Sequence, residues 1–218
     1  MKTAVKPLLT FFLFVFSSFL FAQSDFEGIV KYGINYVNMP EEMKAYQAML
    51  PQEVTVTIKG NKSRLEQSQM MGKNVVISDM DNKSGFIEMD MAGQKLRMAV
   101  NQDEFEKADE KAPLIDYFDE SKTILGYPCK KAIMKDNEGN GIMTVYYTEK
   151  ISNNAQKEFA GLKGFPLQYS LNQQNMEMEI TATDIKKQAV SDEVFEKTAG
   201  YNEITQEELQ KMMMGGGQ

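Results

Sequence analysis

The strongest constraint on this chain is an alternation of period two, repeated in short blocks with turn-forming residues between them. It is clearest in 121–148. There the runs Thr123-Ile124-Leu125, Ala132-Ile133-Met134 and Ile142-Met143-Thr144-Val145-Tyr146-Tyr147 are separated by Gly126-Tyr127-Pro128 and by Asp136-Asn137-Glu138-Gly139-Asn140-Gly141. β-Branched and aromatic residues favour strands, and Gly and Asn tolerate the positive φ of tight turns. The stretch therefore reads as three strands joined by a Gly-Tyr-Pro corner and a hairpin turn.

Most of the chain follows the same rule. Phe26, Gly28, Val30, Tyr32, Ile34 and Tyr36 share one face of a long first strand. Between Val54 and Val100, turns at Lys59-Gly60-Asn61-Lys62, Gly72-Lys73-Asn74, Asp81–Gly85 and Ala92-Gly93-Gln94 divide five strands of a meander. Leu167, Tyr169 and Leu171, then Met176, Met178, Ile180 and Ala182, mark two more. The period changes in three places. Met43, Tyr46, Met49 and Leu50 fall on a helical stripe ended by Pro51, and Ala155, Phe159 and Leu162 follow a capping Ser152. Thr205 with Glu208 forms a capping box for a terminal helix before a Gly-rich tail. The charged stretch 101–113 reads as a solvated loop or a frayed helical turn. The fold expected is mainly β (α+β), an antiparallel sheet of about ten or eleven strands with two or three short helices.

Residues 1–22 have the form of an export leader: Lys2 and Lys6, an apolar run from Leu8 to Phe21, and small Ala22 at the expected cut. No cysteine stands near that cut to carry a lipid. The expected organisation is a leader (1–22), one β-rich domain (23–204) and a C-terminal helix with flexible tail (205–218), with no membrane-spanning segment after cleavage. Losing the leader leaves 22 basic residues against 31 acidic ones, a net charge of −9. Such a surface disfavours nucleic acid and anionic lipid. The address is periplasmic or secreted, yet the single cysteine, Cys129, allows no internal disulfide.

The chain has no histidine and no tryptophan. This removes the commonest general base, the Ser-His and Cys-His pairs, most zinc sites and the usual sugar platform, so a non-enzymatic protein with no cofactor is expected. Cys129 precedes Lys130 and Lys131, whose charges would favour a thiolate, but a lone thiol with no resolving partner is more often a small buried apolar group. Met89 with Met91, Met176 with Met178, and the run Met212-Met213-Met214 suit Cu(I) or, equally, adaptable packing against apolar partners. Asp136-x-Glu138-x-Asn140-Gly141 imitates the start of a calcium loop, but Tyr147 stands where the twelfth-position carboxylate belongs, so it reads as a turn.

The phrases Phe26-Glu27-Gly28, Thr57-Ile58-Lys59-Gly60-Asn61-Lys62-Ser63-Arg64, Thr123-Ile124-Leu125-Gly126-Tyr127-Pro128-Cys129-Lys130-Lys131, Val145-Tyr146-Tyr147-Thr148, Gly164-Phe165-Pro166-Leu167, Val194-Phe195 and Gly200-Tyr201 resemble those of an exported family of Bacteroidota, the domain of unknown function 4412. The resemblance implies a LolA-like fold, an incompletely closed antiparallel half-barrel covered by helices and used for lipoprotein or lipid carriage. On that expectation an apolar ligand, a lipid or an acyl chain, lies between the concave sheet and helices at 40–50 and 152–162. It would be lined by Met43, Tyr46, Met49, Phe86, Met89, Leu96, Met98, Phe159 and Leu162. The competing expectations are an envelope or secreted protein-interaction module, with a filled interior and an exposed apolar rim, and Met-based copper handling.

Overall fold

The computed structural model describes residues 26–69, 72–91, 93–109, 112–173 and 176–215. The expected leader, 1–22, and the last three residues of the expected tail lie outside them. The period-two blocks become β1 (Glu27–Asn38), β2 (Glu53–Lys59), β3 (Lys62–Gln69), β4 (Gly72–Asp79), β5 (Ser84–Met91), β6 (Gln94–Val100), β7 (Leu114–Ile124), β8 (Tyr127–Lys135), β9 (Gly141–Thr148), β10 (Phe165–Gln173), β11 (Met176–Lys187) and β12 (Asn202–Ile204). All twelve join one sheet, ordered β12-β6-β5-β4-β3-β2-β1-β11-β10-β9-β8-β7, with β7 and β12 at its two unpaired edges. Every pairing is antiparallel except β12 on β6, a three-residue parallel strand that the sequence did not announce.

This order makes one connection decisive. Residues 101–113 leave β6 at one side of the sheet and enter β7 at the other, ten strand spacings away. On a flat sheet that is about 48 Å. The connection contains α2 (Gln102–Asp109). At about 1.5 Å per helical residue and 3.3 Å per extended one, it reaches roughly 30 Å. The sheet must therefore curl until its sides approach, which gives an open, barrel-like shell. Of the two expectations for this stretch, a solvated loop or a frayed helical turn, the helical one is met, and the helix has something to bury: Phe105 is buried, with Lys157 Nζ 3.7 Å from its ring centre.

The curl creates an inner and an outer face. Strand register places Val30, Tyr32, Val54, Val56, Leu65, Ile180 and Ala182 together on the inner one. Their core continues into Phe26, Phe165, Leu167 and Cys129. Tyr32, fully buried, donates from its hydroxyl to the Pro166 carbonyl at 2.8 Å and so ties β1 to β10 across β11. Gly28 has no alternative nearby: a Cβ there would stand 2.1 Å from the Lys186 carbonyl oxygen of β11. The 149–164 segment caps one end of this face with Ile151, Ala155, Phe159 and Leu162. It is not the expected helix. Only a 3-10 turn forms, at Lys157–Phe159, because backbone groups are taken by other partners: Ser63 Oγ donates to Ala155 O, and Asn153 Nδ2 donates to Phe159 O.

The outer face of β4–β6 is apolar too, through Val75, Ile77 and Phe86, and 188–204 crosses it with Val190, Val194 and Phe195 before adding β12 to β6. A buried ion pair holds this strap. Arg97 donates from Nε and Nη2 to Glu88 Oε1 at 3.0 and 2.6 Å. The Thr198 amide donates to the same oxygen at 2.8 Å, and Arg97 Nη2 also donates to the Thr198 carbonyl. Arg97 Nη1 reaches Glu203 of β12 at 3.1 Å, and the guanidinium lies against the Phe86 and Tyr201 rings. After Ile204 the expected capping box is present: Glu208 N donates to Thr205 Oγ1, and Thr205 N donates to Glu208 Oε2, starting α3 (Gln206–Gly215).

Two local expectations change. The corner between β7 and β8 is Leu125-Gly126, both at positive φ, so Tyr127 and Pro128 already belong to β8. The 40–50 stripe forms only α1 (Glu41–Lys44) and a 3-10 turn at Gln47–Met49, and most of it is not packed down: Tyr46 and Met49 are exposed, Met43 is half-buried, and Leu50 reaches the inner face.

Burial alone would raise the Glu88 carboxyl, but hydrogen bonds from Arg97 and Thr198 outweigh it and hold the group below the ordinary glutamate range. The sign follows from linkage: stability from this group is present above the unfolded value of about 4.3 and is lost as pH falls through the lower folded value. Arg97→Met should cost about 3 kcal/mol in urea unfolding at neutral pH, since it strands a buried carboxylate. Glu88→Gln should flatten the acid limb of the stability curve.

Candidate functional site

The inner face is filled at the end capped by 149–164 and hollow at the other. A cavity of about 330 Å³ lies there. Ile34 and Tyr36 of β1, Val54 of β2 and Leu65 and Gln67 of β3 form one wall. Tyr169 and Leu171 of β10 and Met176, Met178 and Ile180 of β11 form the other, with Leu50 and Pro51 at the lip. The walls follow from register. Ile34 faces Ile180 and Tyr36 faces Met178 on β11, which in turn face Tyr169 and Leu171 on β10.

None of these wall residues carries a carboxylate, ammonium or guanidinium group. The part of a ligand held here must be uncharged, because a charge without a partner in an apolar cleft is expensive. Polarity is limited to the Gln67 amide and two phenols. Tyr36 donates its hydroxyl to the Pro51 carbonyl at 2.7 Å, which pins the lip to the wall, and burial raises its pKa. The Tyr169 hydroxyl is driven well above the usual phenol range, first by burial and then by Glu158. Its ring packs edge-on against Tyr32 at 6.0 Å and Phe159 at 4.9 Å, forming the floor between the cavity and the filled end. Neither phenol is a base at neutral pH.

Larger hollows lie elsewhere but carry charged side chains in their walls. One of about 540 Å³ sits on the outer face among Glu53, Thr55, Glu66, Ser68, Gln69 and Lys73. Another of about 610 Å³ combines Met134, Ile142 and Met143 with Lys135, Asp136, Glu138, Lys157 and Glu158. We take the apolar cavity as the candidate site because its walls come from five strands and act on one kind of ligand surface.

The nine residues expected from the sequence are dispersed. Met89, Leu96 and Met98 share the inner face, Met89 opposite Leu96. Phe86 stands on the opposite face, buried beneath the strap. Phe159 and Leu162 are buried among Ala132, Met134, Val145 and Tyr147. Met43 is half-buried, and Tyr46 and Met49 are exposed. None of the nine lines the 330 Å³ cavity. The residues that do were marked by strand alternation in β1, β2, β10 and β11. That signal says which face is apolar and leaves open where the face is uncovered.

The Asp136 loop closes on itself: its carboxylate accepts from the amides of Glu138 and Asn140 and from the Asn140 side chain. Among the described residues no three His, Cys, Asp or Glu side chains converge as a metal site. Cys129 is fully buried in the core, and burial raises its pKa. A thiol reagent at neutral pH should label it slowly in the folded protein and promptly in urea, as thiolate release at absorbance wavelengths would record.

No family model matches the chain, and no curated protein matches it. Among solved structures it is similar to PNGF-II in a P21 crystal form, with TM-score 0.56 and 16% identity over 87% of this chain and 33% of that one. The C2 form of PNGF-II gives TM-score 0.52 and 17% identity over 85% of this chain and 32% of that one. An uncharacterized conserved protein from Thermus thermophilus overlaps 83% of this chain and 91% of that one, with TM-score 0.48 and 8% identity. The chain thus spans about a third of the length of PNGF-II, and at this identity the likeness is one of fold. No helix among the described residues is long and apolar enough to cross a membrane.

Proposed function

We propose that this chain is an exported, non-enzymatic binding protein of the LolA-like kind, working in the periplasm or outside the cell, and that its shell holds an apolar ligand by an uncharged segment such as an acyl chain. One observation carries the reading: the open end of the inner face keeps a cavity of about 330 Å³ whose walls are apolar side chains from five strands. A shell evolved only for packing fills such a space, since interiors are otherwise close-packed and an unfilled cavity costs stability. The volume lies at the small end of ligand sites, about 300–1,000 Å³. It suits one slender chain with its head outside.

Met176 and Met178 at the wall suit this use, because thioethers adapt to irregular apolar partners. Copper handling is the weaker reading, since the cavity offers two thioethers and no imidazole or thiolate.

A fluorescent fatty-acid probe should bind the exported protein, with phospholipid or fatty acid recovered by mass spectrometry of its organic extract. Leu65→Trp, which places a larger side chain into the cavity, should weaken probe binding by about tenfold or more while the protein still unfolds cooperatively. Absence of probe binding together with a lipid-free extract would remove the cargo reading.

A further inference from the structure

Nine large hydrophobic side chains are exposed among the described residues, and six of them stand at one end of the sheet: Val37, Tyr46, Met49, Met91, Leu114 and Ile142. Register shows that these positions are level. Asn38, next to Val37, faces Glu177 at the start of β11; Met91 ends β5 opposite Gly72; Leu114 opens β7 opposite Lys135; and Lys135 faces Gly141, beside Ile142. Tyr46 and Met49 lie in the connection between β1 and β2 at the same end. The opposite end, where β2 turns into β3, β4 into β5 and β7 into β8, carries Leu125; of the other two, Phe118 stands within β7 and Met212 on α3. Other turn residues at the Leu125 end include Asn61, Asp81, Asn82 and Lys83.

Scattered exposed apolar residues are ordinary on a protein surface. Their gathering at one end is not, and this is the end where the apolar cavity opens past Leu50, Pro51 and Met176. The six residues are spread along this end of the sheet, from β5 near one side, through β1 and the β1–β2 connection, to β9 and β7 at the other.

We propose that this rim is a docking surface for a neutral or zwitterionic lipid bilayer, with the six side chains seated at the boundary between headgroups and acyl chains. Three features select lipid. A row spread along this end of the sheet suits a fluid surface better than the contiguous, tightly packed centre of a protein interface. Tyr46, with an apolar ring and a polar tip, is a residue type that favours membrane interfaces. The rim charges are acidic on balance, Glu41, Glu42, Asp136 and Glu138 against Lys44 and Lys135, so anionic headgroups are repelled and a polybasic anchor is lacking. Docked this way, the mouth meets lipid directly, and an acyl chain passes between bilayer and cavity without crossing water. That purpose rests on the cargo reading; the docking does not.

Flotation of the exported protein with phosphatidylcholine vesicles is the test. The wild type should float with the vesicles, and adding phosphatidylglycerol should weaken the association. The double variant Tyr46→Asp, Met49→Asp and the single variant Ile142→Asp should each lose about tenfold or more in vesicle affinity with an unchanged melting temperature, because these side chains are exposed. Leu125→Asp, at the far end, should float as the wild type does. Failure of the wild type to float, rim variants that float unchanged, or binding only to anionic vesicles would overturn the proposal. So would recovery of a stoichiometric protein partner at the rim without vesicle binding. Leu65→Trp separates the two readings: it should keep vesicle binding while losing the fatty-acid probe.

Discussion

The architecture depends on the reach of one connection. Thirteen residues must join β6 to β7 across a ribbon ten strand spacings wide, and a chain that includes a two-turn helix is too short to do so unless the ribbon curls. Curling gives the sheet an inside. It also sets where the inside is full, because β9 is followed by 149–164, which folds over one end and buries Ile151, Ala155, Phe159 and Leu162. The other end receives only Leu50 and Pro51, and the hollow there is the remainder.

The two faces are closed by different chemistry. Inside, contact is mostly apolar, with Tyr32 to Pro166 and Ser63 to Ala155 as polar ties between elements far apart in sequence. Outside, the strap is positioned by the Glu88 and Arg97 pair. Burying an ion pair is poor evidence of net stability, since desolvation offsets much of the attraction. Its geometry is directional, however. One carboxylate oxygen accepts from both Arg97 and the Thr198 amide, and Arg97 spans Glu88, Thr198 and Glu203, which fixes where the strap crosses and brings β12 beside β6.

Cavity, lip and apolar rim occupy the same end of the molecule, opposite the turns that join β2 to β3, β4 to β5 and β7 to β8. The cavity walls carry no formal charge, and burial keeps the Tyr36 and Tyr169 phenols neutral at neutral pH. The proposed binding role and the proposed lipid-facing mouth both rest on one asymmetry: 149–164 covers one end of a curved apolar face.

The residues alone determined the strand pattern. Alternation marked β1 to β6 and β8 to β11, because period two with Gly and Asn turns is a local property of the backbone. The capping box at Thr205 and Glu208 was readable for the same reason. The first half of β7 was hidden by Asp116, Asp119 and Glu120, charges suited to an unpaired edge. The stripe at 40–50 promised a helix, and most of it is not packed down. Their odd spacing already sets Phe86 and Met89 on opposite faces of β5, but only the tertiary structure decided what covers each face, and that Ile34, Val54, Leu65 and Met178 surround the empty space. Alternation specifies that a side chain lies on an apolar face; whether that face is packed or left open depends on segments more than a hundred residues away.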